Sequence, residues 1–338
     1  MIREAISKVV SGADLTEDEA ASVMRELMSE EATASQAAAL LVALRMKGET
    51  ADEIAGMVRV MREKALRVEV ASDVLDVVST GGGRFDPFNI STAAALVCAG
   101  AGVRVAKHGN RGFTSASGAA DVLEALGAKL ELTPEQTATC IEQTGFGFLF
   151  AQSLHPAMRF VGPTRREIGI RTIFNSLGPL TNPAGAQFQL LGVGDESMAE
   201  KVASVLGRLG VGHALVVHSD DGLDEVSLGA PTMVHELTGN ASKTYTLTPE
   251  EAGFTRVPLS VVKTGTKEEN AERMRAVLAG KPGPDRDYTL VNAGAALVAA
   301  NKASSVKQGA DLARQAVDSG AAAKVLDAYV AATQSFGT

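Results

Sequence analysis

The sequence predicts an α/β protein with a small all-helical unit at its N-terminus and a larger unit built on a mainly parallel central sheet. Two observations carry this. Before Val74 no stretch reads as a strand, while helix caps and helical apolar spacing recur through the first seventy residues. From Leu75 onward, short apolar runs alternate with helical stretches, the pattern of parallel strands whose crossovers cover both faces of a sheet. The boundaries expected are 1–70 for the helical unit and 74–338 for the α/β unit, with the segment near 156–183 returning to the helical unit.

Each element has a local reason. Thr16-Glu17-Asp18-Glu19 and Thr50-Ala51-Asp52-Glu53 place a hydroxyl three residues before a glutamate, the reciprocal cap that opens a helix. Between them Val23, Leu27, Leu40, Leu41 and Leu44 repeat at helical spacing, and Gly48 ends the third helix. Leu75–Val78 reads as the first strand, followed by a helix over Thr92–Ala99, a strand over Val103–Ala106, a helix over Asp121–Leu126 and a strand over Lys129–Leu132. Thr133-Pro134-Glu135-Gln136 opens a helix with proline at its first position. Phe146–Phe150, Gln189–Gly192 and Leu215–His218 complete the expected strands, with a helix over Ala199–Leu209 before the last. The stretch Ala310–Ala332 reads as helical again.

The 338 residues exceed what one small core needs, and 45% apolar with 21% charged residues is ordinary for a globular chain. A net charge of −8 with scattered lysines and arginines argues against a nucleic-acid partner, which calls for a basic face. A phosphate-handling cleft needs only local positive charge. Cys98 and Cys140 lie in apolar helical patterns without metal-type spacing and read as reduced core residues. Met1–Val10 lacks the pattern of a signal peptide, and no apolar run reaches the ~18 residues of a membrane span, so no membrane partner and a cytoplasmic location are expected.

Four motifs carry the chemistry. Ser79-Thr80-Gly81-Gly82-Gly83 follows a strand, and glycines there let backbone N–H groups face an anion. A bare triple glycine reads equally as a flexible turn, and it lacks the spacing of the common nucleotide loops. Lys107-His108-Gly109-Asn110-Arg111 is a dense donor cluster at the end of a strand, where open α/β sheets bind ligands, and Thr114-Ser115-Ala116-Ser117-Gly118 adds hydroxyls before the next helix. Asp220-Asp221-Gly222-Leu223-Asp224-Glu225 places carboxylates after another strand, in a pattern shared by Mg²⁺ sites and by solvated acidic turns. His155-Pro156, Arg165-Arg166-Glu167, Arg171–Asn175 and Gly178–Pro183 combine cations suited to gripping a carboxylate with rigid prolines, or else form a salt-bridged helix cap. No elbow or metal motif of covalent or zinc hydrolysis occurs, so no covalent nucleophile is expected, and His213, His218 and His235 read as structural.

Together these segments resemble the anthranilate phosphoribosyltransferase family from about Leu15 to Ala300, most specifically at Lys107–Arg111, Arg165–Gly169, Phe174–Pro183 and Asp221–Glu225. The resemblance implies a fold of the nucleoside phosphorylase/phosphoribosyltransferase kind with a hinged cleft, and a homodimer through the helical unit. It implies transfer of the phosphoribosyl group of phosphoribosyl pyrophosphate (PRPP) to the amine of anthranilate, a step of tryptophan biosynthesis, with two Mg²⁺ ions. The residues implied for PRPP are Ser79, Thr80, Gly81, Gly82, Gly83, Asn89, Ser91, Thr92, Lys107 and Ser115. Those implied for anthranilate are His108, Asn110, His155, Met158, Arg165 and Gly178, and those for metal are Ser91, Asp224 and Glu225.

A Ser-Thr-Gly-Gly loop also resembles that of pyrimidine-nucleoside phosphorylases, and nucleic-acid-binding relatives share the fold. Arg165 and the Asp224–Glu225 pair favour the transferase, and the acidic composition disfavours the nucleic-acid binder. The chain departs from the family loop at Ser79, where glycine is usual, and at Gly83-Arg84, where aspartate is usual at the first position. Losing that charge is expected to strengthen PRPP binding or lessen its need for Mg²⁺, unless Asp86 swings in as a substitute carboxylate.

Overall fold

Threonine caps set the N-terminal helices. The computed structural model describes residues 1–112, 116–239 and 241–337. In it α1 (Ile2–Val10), α2 (Glu17–Leu27), α3 (Ala34–Lys47) and α4 (Ala51–Lys64) precede any strand. Thr16, Thr33 and Thr50 each accept the backbone N–H three residues on, and Glu19, Gln36 and Glu53 reach back to the cap. Thr33–Gln36 is a third such box that sequence reading passed over. Gly48 closes α3 with φ +88°, a conformation in which a side chain would be strained.

The second part begins at β1 (Leu75–Ser79) and continues through α5 (Ile90–Gly100), β2 (Val105–Gly109), α6 (Ala119–Ala125), α7 (Pro134–Thr144) and β3 (Phe146–Phe150). After α8 (Ala151–Leu154) come the short helices α9 (Gly162–Ile168) and α10 (Ile173–Leu177), then β4 (Phe188–Gly192), α11 (Ala199–Arg208) and β5 (His213–Ser219). The remainder is β6 (Thr232–Thr238), β7 (Ala241–Leu247), α12 (Lys267–Leu278), α13 (Pro284–Ala299), α14 (Val306–Asp318) and α15 (Ala321–Ser335). The strands form one sheet in the order β3-β2-β1-β4-β5-β6-β7. Its first five strands are parallel, and β6 and β7 add an antiparallel edge.

Chain order runs outward from β1 to β2 and β3 on one side, and from β4 to β5 on the other. The direction of winding therefore reverses between β1 and β4, and a crevice opens at their carboxyl ends. Every motif of the sequence that follows a parallel strand emerges at that end.

Two large apolar cores cover the sheet, and a third, smaller cluster gathers Val68, Val74, Ala106, Ile141, Leu149, Leu154 and Ala186. One large core gathers α5, α13, α14 and α15, with Tyr288 and Tyr329 fully buried in it. Gly294 and Gly309 let α13 and α14 touch backbone to backbone, since a Cβ on Gly309 would come within 2.3 Å of the Gly294 carbonyl oxygen. The other core joins α1–α4 to α11 and to Leu191 and Val216 of the sheet, and it includes Val161, Ile173, Phe174 and Leu177 of the 156–183 segment. α9 and α10 accordingly pack on α3 and α4.

Three expectations need correction. Lys129–Leu132 is not a strand: Leu130 and Leu132 turn inward as an alternating pattern predicts, but no strand lies beside them, and the Lys129 N–H donates to the Thr333 hydroxyl of α15 at 3.1 Å. The second strand starts two residues later than read and ends at Gly109, so Lys107 and His108 are strand residues rather than loop residues. The β6–β7 pair and the helices α12 and α13 were not foreseen. The run after Asp287 is too uniformly apolar to show a helical stripe, which is what a helix buried on all sides looks like. No helix of the described residues is long and apolar enough to cross a membrane. Cys98 and Cys140 are buried and free.

Candidate active site

The crevice floor is a buried set of charges. Lys107 points along β2 beneath the loop after β1; its ammonium donates to the Val77 carbonyl and, at 3.3 Å, to the Ser91 hydroxyl. Burial pushes its pKa down, while Asp76 and Glu225 pull it up. Asp76, on β1, is wholly buried and accepts the His108 N–H at 3.0 Å and the Asn182 amide at 2.7 Å. Burial raises its carboxyl to about 6 against the pull of Lys107. Asp76 was absent from the predicted site, and Asn182 entered it only as part of the Gly178–Pro183 motif, with no role of its own. A carboxylate inside an apolar strand run such as Leu75–Val78 was the available signal, since buried aspartates need partners.

Asp224 and Glu225 follow β5 and are buried side by side. Glu225 Oε1 accepts the Ser91 N–H at 3.1 Å, at the start of α5, while Oε2 is buried without a partner. Burial and the neighbouring Asp224 raise Glu225 to about 8, with Lys107 opposing. Burial also raises Asp224, opposed by the Ser79 hydroxyl and Arg171. An oxygen-seeking divalent cation fits this pair, because it would neutralise the adjacent carboxylates and occupy the free oxygen. Among the described residues no three His, Cys, Asp or Glu side chains converge to hold a metal. The protein offers two carboxylates and a hydroxyl, the partial set that Mg²⁺ completes with phosphates and water.

The loop above the floor is fixed by close contacts. The Thr80 N–H donates to the Gly192 carbonyl at 2.9 Å and its hydroxyl oxygen accepts the Gly194 N–H at 3.1 Å. Gly81 and Gly82 take φ +63° and +79°. Gly83 has no room for a side chain: its Cβ would lie 2.8 Å from the Gly222 carbonyl oxygen and 3.0 Å from Asp224 Oδ1. The acidic position is therefore closed by packing in this chain, and a Gly83→Asp change would test sterics before charge. Asp86 does not reach in hydrogen-bonded form; its Oδ2 accepts the Ala116 N–H at 3.2 Å, though its charge still raises Asp224.

Of the other residues assigned to PRPP, Asn89 bonds Ser117 O at 3.0 Å and Asn270 Nδ2 at 3.0 Å, and the buried Thr92 hydroxyl has no partner. Ser115 lies outside the described residues.

The second wall is a cleft of about 750 Å³ that brings together His108, Asn110, His155, Met158, Arg165 and Gly178. His108 and His155 are both buried and their Nε2 atoms stand 3.2 Å apart. His108 Nδ1 lies 3.1 Å from the Gly178 carbonyl and so carries the proton. Its Nε2 then accepts the proton of His155 Nε2, which leaves His155 Nδ1 bare, the buried atom without a partner. Both rings are neutral: burial lowers His155 to about 4 and drives His108 well below its usual value.

Arg165 is largely buried, lies over the Phe174 ring at 4.9 Å, and among the described residues pairs with no carboxylate. Burial lowers its pKa to about 10, which still leaves it charged at neutral pH. Asn110 is held by Gln152 at 3.1 Å. Arg111, by contrast, is tied to Asp121 and Glu124 of α6 at 3.2 and 3.0 Å. Arg159 and Arg166 line the same cleft and likewise pair with no carboxylate among the described residues. A cleft of this size with unanswered guanidinium groups and neutral imidazoles suits a small aromatic carboxylate.

Comparison with known proteins agrees with this geometry. Residues 71–323 match the α/β domain of a glycosyl transferase family and residues 3–65 its helical bundle domain. The anthranilate phosphoribosyltransferase of Symbiobacterium thermophilum is 53% identical over 95% of each chain. The crystal structure of the Thermus thermophilus anthranilate phosphoribosyltransferase superposes with a TM-score of 0.92 at 48% identity, covering 98% of this chain and 99% of that one. The Saccharomyces cerevisiae enzyme in complex with PRPP and Mg superposes at 0.91 with 27% identity, covering 99% and 98%. With a helical bundle beside a parallel sheet, and an acidic floor beside an aromatic cleft, the chain belongs to this glycosyl transferase family, among the anthranilate phosphoribosyltransferases.

Proposed function

We propose that the glycine-rich loop, Ser91, Lys107 and the Asp224–Glu225 pair hold PRPP with two Mg²⁺ ions, and that the Arg165 cleft holds anthranilate. The single observation that carries this reading is the presence of a partly unsatisfied carboxylate pair beside Ser91 and Lys107 together with an unpaired Arg165 in the cleft that His108 lines. The yeast relative was seen with PRPP and Mg, which supports the same ligands here.

The chemistry asks little of a nucleophile, because the aromatic amine is neutral at pH 7. The barrier lies in breaking the bond between ribose C1 and the diphosphate, with positive charge growing on the ring. Bound Mg²⁺ supplies charge stabilisation at the departing phosphate oxygens. Lys107, fixed by Val77 and Ser91, presents a cation that needs no reorganisation during reaction. Free loop amides add donors to the same end. Arg165 orients the carboxylate of the acceptor, and the neutral His108–His155 pair excludes water without competing for that carboxylate. Holding two substrates on facing walls can supply up to ~7–11 kcal/mol.

We further infer that residues 1–70 with the 156–183 segment act as one body against 74–338, and that two chains pair through the helical body. α3 has apolar residues on its outer face as well as its inner one: Leu40, Leu41 and Leu44 face inward, while Val42 and Met46 join Val9 and Val10 in an outward apolar depression. Met46 is 83% and Val10 70% exposed, a pair that a second copy would cover. Light scattering is expected to give a dimer, and Met46→Lys to weaken it; a wild-type monomer at micromolar concentration would refute the pairing. The activity itself is tested by the loss of anthranilate fluorescence with PRPP and Mg²⁺, expected to be rapid and dependent on both.

A further inference from the structure

Three arginines meet on the outer side of the glycine-rich loop. Arg45 comes from the end of α3, Arg84 from the loop, and Arg171 from the stretch between α9 and α10; all three border a cavity of about 610 Å³ together with Thr80, Gly82 and Gly194. The cavity lies between the chain ends leaving β1 and β4, where the winding of the sheet reverses and open α/β sheets bind ligands.

Arg171 is seated against the loop itself. Its Nη2 donates to the Thr80 carbonyl at 3.1 Å, and a Cβ on Gly82 would fall 2.1 Å from Nη1, so only glycine there leaves space for the guanidinium. The stem of Arg84 covers Gly222, whose added Cβ would meet Arg84 Cδ at 2.9 Å.

Among the described residues none of the three makes an ion pair, although Asp195 attracts Arg45 and Arg171 and Asp224 attracts Arg171 from farther off. The arginine ion pairs of the described residues lie elsewhere, at Arg25, Arg59, Arg111, Arg208, Arg256, Arg273, Arg275, Arg286 and Arg314. Arg45 is close enough to Arg171 to repel it. Glu49, Asp195 and Glu196 also border the cavity; Asp195 accepts the Ser197 N–H and hydroxyl at 3.1 and 2.7 Å and keeps its charge toward Arg45 and Arg171, so the three carboxylates offset the arginines only in part and without direct contact. Among the described residues the N–H groups of Gly82 and Gly83 have no acceptor. The loop is thus flanked by Asp224 at Gly83 and by a guanidinium at Gly82.

We propose that Arg45, Arg84 and Arg171 form a diphosphate subsite behind the loop, which receives the pyrophosphate as it leaves ribose C1. The subsite rests on the transferase reading for its ligand. Guanidinium groups bind phosphate oxygens in pairs and stay charged when partly buried, which suits a doubly anchored diphosphate. Because Arg45 belongs to the helical body and Arg84 to the loop, a diphosphate there also bridges the two walls of the cleft.

The test is titration calorimetry of the intact protein with inorganic pyrophosphate and, separately, with ribose 5-phosphate, beside turnover of anthranilate with PRPP. Arg45→Ala and Arg84→Ala alter exposed side chains and are expected to fold; each should weaken pyrophosphate binding about tenfold or more, with ribose 5-phosphate changed by less than about twofold. Arg171→Lys should do the same and raise the PRPP KM while sparing the anthranilate KM. Unchanged pyrophosphate binding in both alanine variants overturns the subsite, as does an equal loss of both ligands, which would mean that the loop itself had collapsed. If wild type binds pyrophosphate through these arginines but does not consume anthranilate, the transferase reading falls and the subsite stands.

Discussion

The two walls of the cleft are built by opposite means. The floor under the glycine-rich loop is a set of charges set against one another: Asp76 and Lys107 lie within β1 and β2, and Asp224 and Glu225 in the loop that follows β5, with Asp76, Lys107 and Asp224 buried. The wall opposite is a cleft whose arginines Arg159, Arg165 and Arg166 have no carboxylate partner among the described residues, beside two neutral imidazoles, and apart from His108 on β2 it is made largely of short helical pieces between Ala151 and Leu180. Rigid strands suit the first task, because unpaired charges at such depth are costly and must be placed to within tenths of an ångström. The second task is to accept a flat organic acid, for which one guanidinium and an apolar passage suffice.

The largest expected effect breaks the floor. Replacing Asp224 and Glu225 together by Ala should cut kcat by about 10³-fold or more at millimolar Mg²⁺, with circular dichroism unchanged; near-normal turnover would show that the pair has no part in catalysis. The anthranilate wall should respond differently. Arg165→Ala removes one charge-assisted contact and should raise the anthranilate KM by about 10–100-fold, with the PRPP KM little altered. An equal rise in both would erase the contrast between the walls.

The smallest effect concerns the histidine pair, and its sign follows from burial. His155 has its folded pKa lowered to about 4 from 6.5, and His108 is lowered as well. The unfolded chain therefore takes up protons first as pH falls. The stability owed to the neutral rings is complete above 6.5 and is lost as pH drops through the window down to about 4. Thermal unfolding should shift down across that window, and His155→Gln, which keeps a donor toward His108, should flatten the shift by a few degrees. A parallel profile in the variant would mean that other groups govern acid stability.

Much of the fold was legible one element at a time. Thr16, Thr50 and Thr133 announced their helices through bonds to the residue three positions on, and Phe146–Phe150 was read to the residue because a short apolar run ended at glycine on one side. Such signals act within one turn or one strand, so they survive without knowledge of the rest of the chain. Where an element owes its existence to a distant neighbour, local reading failed. Lys129–Leu132 has the alternation of a strand and no strand to pair with, while β6 and β7 exist because β5 offers them an edge.

The residues of the site divide along the same line. The sequence by itself determined the chemical types available: a glycine loop, a lysine-histidine cluster, adjacent carboxylates, and arginines among prolines. Only the tertiary structure decided how they meet. Ser91 and Glu225, 134 positions apart, are joined by a 3.1 Å bond because parallel strands deliver the loops that leave their carboxyl ends to one end of the sheet. The same packing seats Arg171 on Gly82, closes Gly83 against Gly222 and sinks Asp76 beneath His108. Burial and contact at those points depend on the whole set of strand registers, and no window of the sequence contains them.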